Sequence, residues 1–469
     1  MVGRTLLCLV LAGCTDQVIV TPVIEGPIDD TDASAFPALD EVIMTVAHDG
    51  SERDLVSAAF SHGENGGIAG APFGEDLVVH MSGFVGASNV AYGRTCAFAV
   101  NANSTPPEPH LFFSRSGKFA SLAVTPAERT RGAAVSYLGT ALVLGGGVAT
   151  VERFDPVTGQ LGTIGDIEQR TGAALAVLGT SPPRVIVVGG ELGAVGAPFL
   201  ELVDPTRHVE RVDDVQAPAA RIGLTATSLT DGRVIVIGGN APQGIPVGAI
   251  SEVAVNGAST DTRVLRPVLA HPRTDHTATR LGDDLGAPVL IAGGLDAAGM
   301  PVATAELFKP LSEMLADPLT FAPVMVAPRS RHQAVRMPDG SVLFIGGVDA
   351  AGNGVRTLEL FTLDGGFKNV GNLPDAAGVV DFTATALPDG RILVAGGRVN
   401  PSDPPTTSAF IARLDPLDGS VDVVATDRLA VPRANHQAAA LCDGTILITG
   451  GTDGPAVAER YNPSSAGRR

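Results

Sequence analysis

Short runs of apolar residues recur along the chain, and each run ends in a pair of glycines. Residues 387–397 are representative: their sequence LPDGRILVAGG contains a turn, a short apolar stretch and a diglycine. Runs of this kind, rich in Val and Ile and bounded by turn residues, predict β-strands. Seven such pairs follow one another about fifty residues apart, which indicates a repeat architecture. The diglycines are Gly145-Gly146, Gly189-Gly190, Gly238-Gly239, Gly293-Gly294, Gly346-Gly347, Gly396-Gly397 and Gly450-Gly451.

Each repeat contains signals for four strands. Four of the apolar runs follow an aspartyl-glycine pair, as at Asp389-Gly390, which predicts a two-residue hairpin loop. A short strand precedes the turn (HTATRL, 276–281), a third follows the diglycine (AELFKP, 305–310), and a more variable fourth comes next (QLGTIG, 160–165). Four antiparallel strands per repeat are typical of a propeller blade, and blades bury their faces against one another around an axis. We predict an all-β propeller of four-stranded antiparallel blades.

The last repeat lacks its fourth strand, because little sequence follows Asn462-Pro463. An N-terminal strand must therefore close the ring, since an open edge would remain otherwise. In one alternative, residues 118–124 (KFASLAV) complete the last of seven blades. In the other, residues 75–126 form a degenerate eighth blade and residues 41–47 (EVIMTVA) close the ring.

Residues 127–463 resemble the kelch family, and the PDGRILVAGG form is most similar to the repeats of galactose-oxidase-like propellers. The resemblance implies a kelch-repeat β-propeller over residues 127–469, preceded by a closing segment or degenerate blade at 41–126. One departure is that kelch repeats usually carry a Trp on the fourth strand. Here smaller residues fill that position: Leu161, Val209, Val264, Phe321, Phe367 and Val421.

The N-terminus has the pattern of a secretory signal. Residues 1–13 contain Arg4, an apolar run and small residues. Residues 11–14 (LAGC) also resemble the bacterial lipobox, which implies that Cys14 is acylated; the alternative is an ordinary signal peptide. Residues 14–40 mix Pro, Asp and Thr without a period, which predicts a flexible tether. We expect a lipid-anchored protein of the bacterial cell envelope, and Thr15 in place of Asp after the cysteine favours the outer membrane.

The charge balance narrows the range of partners. The chain has 32 basic and 50 acidic residues, a net charge of −18, and no run of basic residues. Nucleic acids and anionic lipid surfaces are therefore poor candidates. We expect a monomer whose contact with the membrane is through its lipid anchor only.

Two cysteines remain after Cys8 leaves with the signal and Cys14 takes lipid. Cys96 and Cys442 could pair in an oxidising compartment. The alternative is two unrelated, partly buried thiols.

An Arg recurs three residues before a fixed position of the first strand, and three repeats have His at that position. The first strand is innermost in a propeller, so these side chains should gather near one channel mouth. One interpretation is a cationic ring for carboxylates or acidic peptides. The other is that each Arg pairs with the Glu of a third strand and each His caps backbone groups between blades. The residues are Arg170, Arg221, Arg273, Arg329, Arg433, His276, His332 and His436, with Glu152, Glu201, Glu306, Glu359 and Glu459.

The chemistry implied by galactose-oxidase resemblance needs copper held by two Tyr and two His, with one Tyr linked to a Cys. This chain has only Tyr92, Tyr137 and Tyr461. We assign no catalytic residue, metal site or cofactor. The sequence favours a binding or scaffold protein that recognises a protein or glycan through propeller loops. Its alternatives are a carbohydrate-acting enzyme, epimerase-like or oxidase-like, and a purely structural envelope protein.

Overall fold

A computed structural model describes residues 17–27, 39–51, 53–61, 67–101, 107–179, 181–193, 195–204, 209–213, 220–256, 259–451 and 457–463. These residues form strands and turns, with no α-helix among them, so the all-β prediction is confirmed. The same ranges contain no helix long and apolar enough to cross a membrane. The expected signal peptide (1–13) and Cys14 lie outside the described residues. The chain divides into two units, one within residues 1–25 and 35–113 and the other within 26–34 and 114–469.

The first unit is built around an antiparallel sheet. Its strands are β1 (Gln17–Val20), β2 (Val23–Glu25), β3 (Glu41–His48), β4 (Asp54–Ser61), β5 (Ile68–Pro72), β6 (Gly74–Val85), β7 (Ser88–Arg94), β8 (Phe98–Val100) and β9 (His110–Phe112). The sheet order is β7-β6-β3-β4, and β8 also pairs with β6. Strands β1 and β5 pair antiparallel, and β2 and β9 pair parallel. Val46, Leu77, Val79 and Met81 belong to its apolar core.

Two expectations about this region are wrong. Residues 17–25 were expected in a flexible tether, yet they form β1 and β2, because their apolar positions pair with partners later in the unit. Residues 75–126 do not form an eighth blade. The reason is the pairing of β3, which lies between β4 and β6 and so is not available to close a ring.

The described residues of the second unit form seven four-stranded antiparallel sheets, numbered here as blades 1 to 7. Two short strands precede the first blade: β10 (Ser114–Arg115) and β11 (Lys118–Ser121). Blade 1 consists of β12 (Gly132–Tyr137), β13 (Thr140–Gly145), β14 (Val148–Asp155) and β15 (Gln160–Asp166). Blade 2 consists of β16 (Ala174–Leu178), β17 (Arg184–Val188), β20 (Leu200–Val203) and β21 (Val209–Val212), with a small hairpin of β18 (Glu191–Leu192) and β19 (Val195–Gly196).

The remaining blades repeat this plan. Blade 3 consists of β22 (Thr225–Ser228), β23 (Val234–Ile237), β24 (Ala249–Asn256) and β25 (Ser259–Val268). Blade 4 consists of β26 (Thr277–Arg280), β27 (Val289–Ala292), β28 (Glu306–Lys309) and β29 (Met314–Leu315). Blade 5 consists of β30 (Gln333–Arg336), β31 (Val342–Ile345), β32 (Thr357–Thr362) and β33 (Gly366–Asn372). Blade 6 consists of β34 (Thr383–Ala386), β35 (Ile392–Ala395), β36 (Ala409–Leu414) and β37 (Val421–Ala425). Blade 7 consists of β38 (Gln437–Ala440), β39 (Ile446–Thr449), β40 (Glu459–Asn462) and β11.

Closure by an N-terminal strand is confirmed, and the strand is β11. It pairs antiparallel with β40, with Lys118 opposite Asn462 and Ser121 opposite Glu459. Every pair of neighbouring blades shares an apolar cluster, including blade 7 with blade 1, where Leu447 and Val143 belong to one cluster. The ring of seven blades is therefore complete, as the first of the two alternatives predicted.

The aspartyl-glycine turns differ from the predicted two-residue loops. In blade 6 the Gly390 N–H donates to Leu387 O and the Leu387 N–H donates to Arg391 O. Only Gly390 has a positive φ, 82°. This is a type I turn followed by a left-handed glycine, because Pro388 fixes a negative φ at the first turn position. The Asp389 carboxylate accepts the Arg391 N–H and stabilises the turn.

Both cysteines in the described part of the chain form disulfide bonds. Cys96 in the first unit and Cys442 beside the turn of blade 7 are each disulfide-bonded. The alternative of two free thiols is therefore wrong, and the pairing of these two cysteines with each other stays a prediction.

Candidate functional site

The recurring arginines lie inside their own blades. Each is at most 5% exposed, and each donates from Nη1 to the carbonyl of the first glycine of its blade's diglycine, as Arg329 does to Gly346 O at 3.1 Å. Four of the five also form an ion pair with the third-strand Glu, and Arg129 of blade 1, which sequence reasoning missed, does the same. The pairs are Arg129–Glu152, Arg170–Glu201, Arg273–Glu306, Arg329–Glu359 and Arg433–Glu459.

Two blades depart from this ion pair. In blade 3, Ser251 occupies the register position of the Glu, opposite Val236, and Arg221 donates to Ser251 Oγ at 3.3 Å. Burial lowers the pKa of Arg221 to about 10. In blade 6 both positions are apolar: Val379 replaces the Arg and Phe410 replaces the Glu, and both belong to one core cluster.

This placement corrects the interpretation of the arginines as a cationic ring for ligands. Burial lowers the pKa of Arg273 and Arg329, and their Glu partners oppose that shift. A buried guanidinium needs such a partner, since an uncompensated charge in the interior is costly. The sequence alternative, in which Arg and Glu hold each blade together, agrees with the geometry.

The three histidines lie between blades. In each, Nε2 is hydrogen bonded to a Thr of the preceding blade: His276 to Thr225 at 3.1 Å, His332 to Thr277 at 2.9 Å, and His436 to Thr383 at 2.9 Å. Each ring also lies against the first glycine of the preceding diglycine. A Cβ on Gly293 would approach His332 Cε1 to 2.4 Å. The histidines therefore fill the space that the diglycines leave open.

Burial lowers the pKa of His332 and of His436 to about 3, and it holds the pKa of His276 well below the usual range. The unfolded chain, with His pKa near 6.5, binds protons that the folded chain does not, at pH values between about 3 and 6.5. As the pH falls below about 6.5, protonation of each His in the unfolded chain should lower the free energy of unfolding by up to about 1.4 kcal/mol per pH unit.

The chain offers a matched variant for this effect. At the interface of blades 5 and 6, Gln333 of blade 5 occupies the Thr position and Phe382 of blade 6 occupies the His position. The double variant Thr277→Gln, His332→Phe should therefore fold while losing one buried His. We expect its unfolding free energy, measured by urea titration at pH 7, 5.5 and 4.5, to fall less steeply with acidification than that of the wild type. Equal slopes would show that His332 is not buried in its neutral form.

The channel mouth is formed by seven residues that sequence reasoning did not single out. They lie two positions after the recurring Arg, or after Val379 in blade 6, and we call them the mouth ring. All have positive φ between 54° and 68°. The mouth ring consists of Arg131, Gly172, Gly223, Asp275, Arg331, Asp381 and Asn435. Gly, Asn and Asp tolerate this conformation best, and they occupy five of the seven positions, so the signal was present in the sequence.

Backbone hydrogen bonds link the mouth ring across blades. Arg131 N–H donates to Asn435 O, Asn435 N–H to Asp381 O, and Arg331 N–H to Asp275 O. These bonds orient the side chains of the ring towards a shared cavity of about 300 Å³, which His276, His332 and His436 also line. The site is therefore a polar cavity with an inner layer of neutral histidines.

Opposite charges in the mouth are mostly matched. Arg131 donates to both carboxylate oxygens of Glu191, at 3.2 and 3.3 Å. Arg331 is paired with Asp381. Asp275 is half-buried, and burial raises the pKa of its carboxyl while Arg331 and Arg131 oppose that shift. Within the described ranges, no group of His, Cys, Asp and Glu is arranged to hold a metal ion.

Comparisons with known proteins describe the fold. No family model and no curated protein matches the chain. Among solved structures, a fungal alcohol oxidase of the AA5 family, in complex with copper, superposes with a TM-score of 0.54 at 16% identity over 74% of this chain and 76% of its own. A second structure, named YjhT, gives a TM-score of 0.49 at 13% identity over 65% of this chain and 99% of its own. With the seven four-stranded sheets, the oxidase superposition shows that this is an all-β protein with a β-propeller fold.

Proposed function

We propose that this protein is a lipid-anchored, kelch-like binding protein of the cell envelope, which recognises a protein or glycan partner at the mouth ring. One observation carries the proposal: a repeated buried frame of Arg, Glu and Gly presents four residue types, Arg, Asp, Asn and Gly, at the seven equivalent mouth positions. Variation at exposed positions on a constant frame is typical of binding surfaces in repeat proteins. The proposal keeps Cys14 as the lipid attachment site and the outer membrane as the location.

A capture experiment tests the proposal with two matched double variants. The full-length protein, immobilised in detergent, is exposed to envelope extract. Arg131→Asn with Arg331→Asn changes the mouth, and Asn suits the left-handed backbone there. Arg280→Asn with Arg336→Asn changes side chains at the opposite ends of the first strands of blades 4 and 5. Thermal unfolding first confirms that both variants fold.

The expected result is that the wild type and the opposite-end variant retain the same partner, while the mouth variant loses it. Retention by all three proteins would exclude the mouth ring as the binding surface. If no partner is captured by the wild type and lost by the mouth variant, the proposed function is contradicted.

A carbohydrate-acting enzyme remains the second candidate, favoured by the superposition on a copper-containing alcohol oxidase. The residues present do not fit copper chemistry of that kind. Tyr137 Oη donates to Pro183 O at 2.5 Å, Tyr461 Oη is hydrogen bonded to Thr426, and Tyr92 lies in the first unit beside His80. In the described part of the mouth, no His is hydrogen bonded to a carboxylate, so an acid–base pair is also missing there.

A further inference from the structure

Asp275 differs from the other charged groups of the mouth. Arg131 has Glu191 as its hydrogen-bonded partner, and Arg331 has Asp381. The carboxylate of Asp275 accepts no hydrogen bond from any residue that the structure describes, and Arg331 and Arg131 act on it only by longer-range attraction. The mouth therefore contains one carboxylate that lacks a donor.

Two glycines leave room for this carboxylate and for the neighbouring Arg131 guanidinium. A Cβ on Gly223 would come within 2.6 Å of Asp275 Oδ1, and a Cβ on Gly172 would come within 3.1 Å of Arg131 Nη2. Blades 2 and 3 thus contribute no side chain to the mouth ring. This sector of the cavity is left to the Asp275 carboxylate and the Arg131 guanidinium, each lying over one glycine.

Charge and solvation favour a cation beside Asp275. Two Arg and two Asp line the cavity, and both guanidinium groups are hydrogen bonded to other carboxylates, Arg131 to Glu191 and Arg331 to Asp381, so neither serves as a donor to Asp275. A half-buried carboxylate has lost part of its hydration, and a cationic donor is the group that compensates best for that loss. The net charge of −18 also attracts cations from solution.

We propose that the mouth cavity binds an alkylammonium or alkylguanidinium group, with the Asp275 carboxylate as its partner. The proposal rests on the proposed function and names the chemistry of the group that is recognised. Such a group can come from a Lys or Arg side chain of a partner protein or from a free alkylamine. An ammonium offers three donors and a guanidinium five, so both can satisfy the carboxylate.

Titration calorimetry of the full-length protein at low ionic strength tests this inference. The probes are N-acetyl-lysine N-methylamide, N-acetyl-arginine N-methylamide and n-pentylamine, with N-acetyl-norleucine N-methylamide as the neutral control. Asp275→Asn removes the charge, and Asn accepts the φ of 54° at this position. Asp364→Asn, in an exposed hairpin turn of blade 5, is the matched control.

The cationic probes should bind the wild type and Asp364→Asn equally, and Asp275→Asn at least about tenfold more weakly. The neutral control should not bind. Tighter binding of the amino-acid derivatives identifies a protein side chain as the source, and tighter binding of n-pentylamine identifies a free amine. Equal affinity for the wild type and Asp275→Asn, or no binding of any cationic probe at millimolar concentration, overturns the inference. If partner capture at the mouth persists in that case, the proposed function stands without it.

Discussion

Replacing Glu359 by Ala should lower the free energy of unfolding by about 3 to 5 kcal/mol. The Glu359 side chain is fully buried and accepts a hydrogen bond from Arg329 Nη2 at 2.5 Å. It also accepts the backbone N–H groups of Val326 and Ala327, at 2.7 and 2.9 Å. Removing it leaves a buried guanidinium without its counter-charge and two N–H groups without their acceptor. Urea unfolding at pH 7 measures the loss.

Blade 6 supplies the control for this prediction. The double variant Arg329→Val, Glu359→Phe copies the pair Val379 and Phe410, and it removes both charges together. Because an apolar pair of suitable volume is often as stable as a buried ion pair, the double variant should recover at least half of the loss. A cost below about 1 kcal/mol for Glu359→Ala would contradict the role of the ion pair. A double variant as unstable as the single one would contradict it equally.

Replacing Gly293 by Ala should be nearly as damaging, at about 3 to 5 kcal/mol. A methyl group there would lie 2.4 Å from His332 Cε1 and 2.6 Å from Arg329 O, so the interface between blades 4 and 5 would have to open. The positive φ of 65° adds backbone strain for any residue other than glycine. Thermal and urea unfolding of the variant would measure the combined cost.

Gly145 separates the steric effect from the backbone strain. Its φ of 68° is nearly the same, but a methyl group there would meet only Arg170 O, at 3.3 Å. Gly145→Ala should therefore cost only the backbone strain, about 1 to 2 kcal/mol. Equal costs at the two positions would show that the His332 ring does not restrict the diglycine.

The sequence repeats made the propeller predictable. The first unit lacks such repeats, so its fold was not predicted. A diglycine at the end of each second strand is visible because the same close approach recurs: Gly294 N–H donates to Arg329 O of the next blade, and Gly347 N–H to Val379 O. Residues 17–113 have no such period. Their pairings join positions far apart, as between β2 and β9, and a hydrophobic pattern alone cannot identify the partner.

The candidate site was predicted only in part. Arg and Glu were both seen to repeat, but a sequence does not tell whether a guanidinium points into the channel or back to its own third strand. The Thr and His of neighbouring blades vary together, Thr225 with His276 and Thr277 with His332, which could have indicated their contact. The mouth ring was missed because its residues differ in charge and size, and only their shared left-handed conformation unites them.

The pairing of β11 with β40 has a consequence for the order of synthesis. A ribosome makes Lys118–Ser121 before blade 1, and it makes the partner strand Glu459–Asn462 only after six complete blades. The closing strand therefore lacks its partner until the third strand of blade 7 has been made. Nascent chains stalled before residue 459 would contain an incomplete ring with an unpaired strand edge. A chaperone that covers such edges would be most useful at this stage.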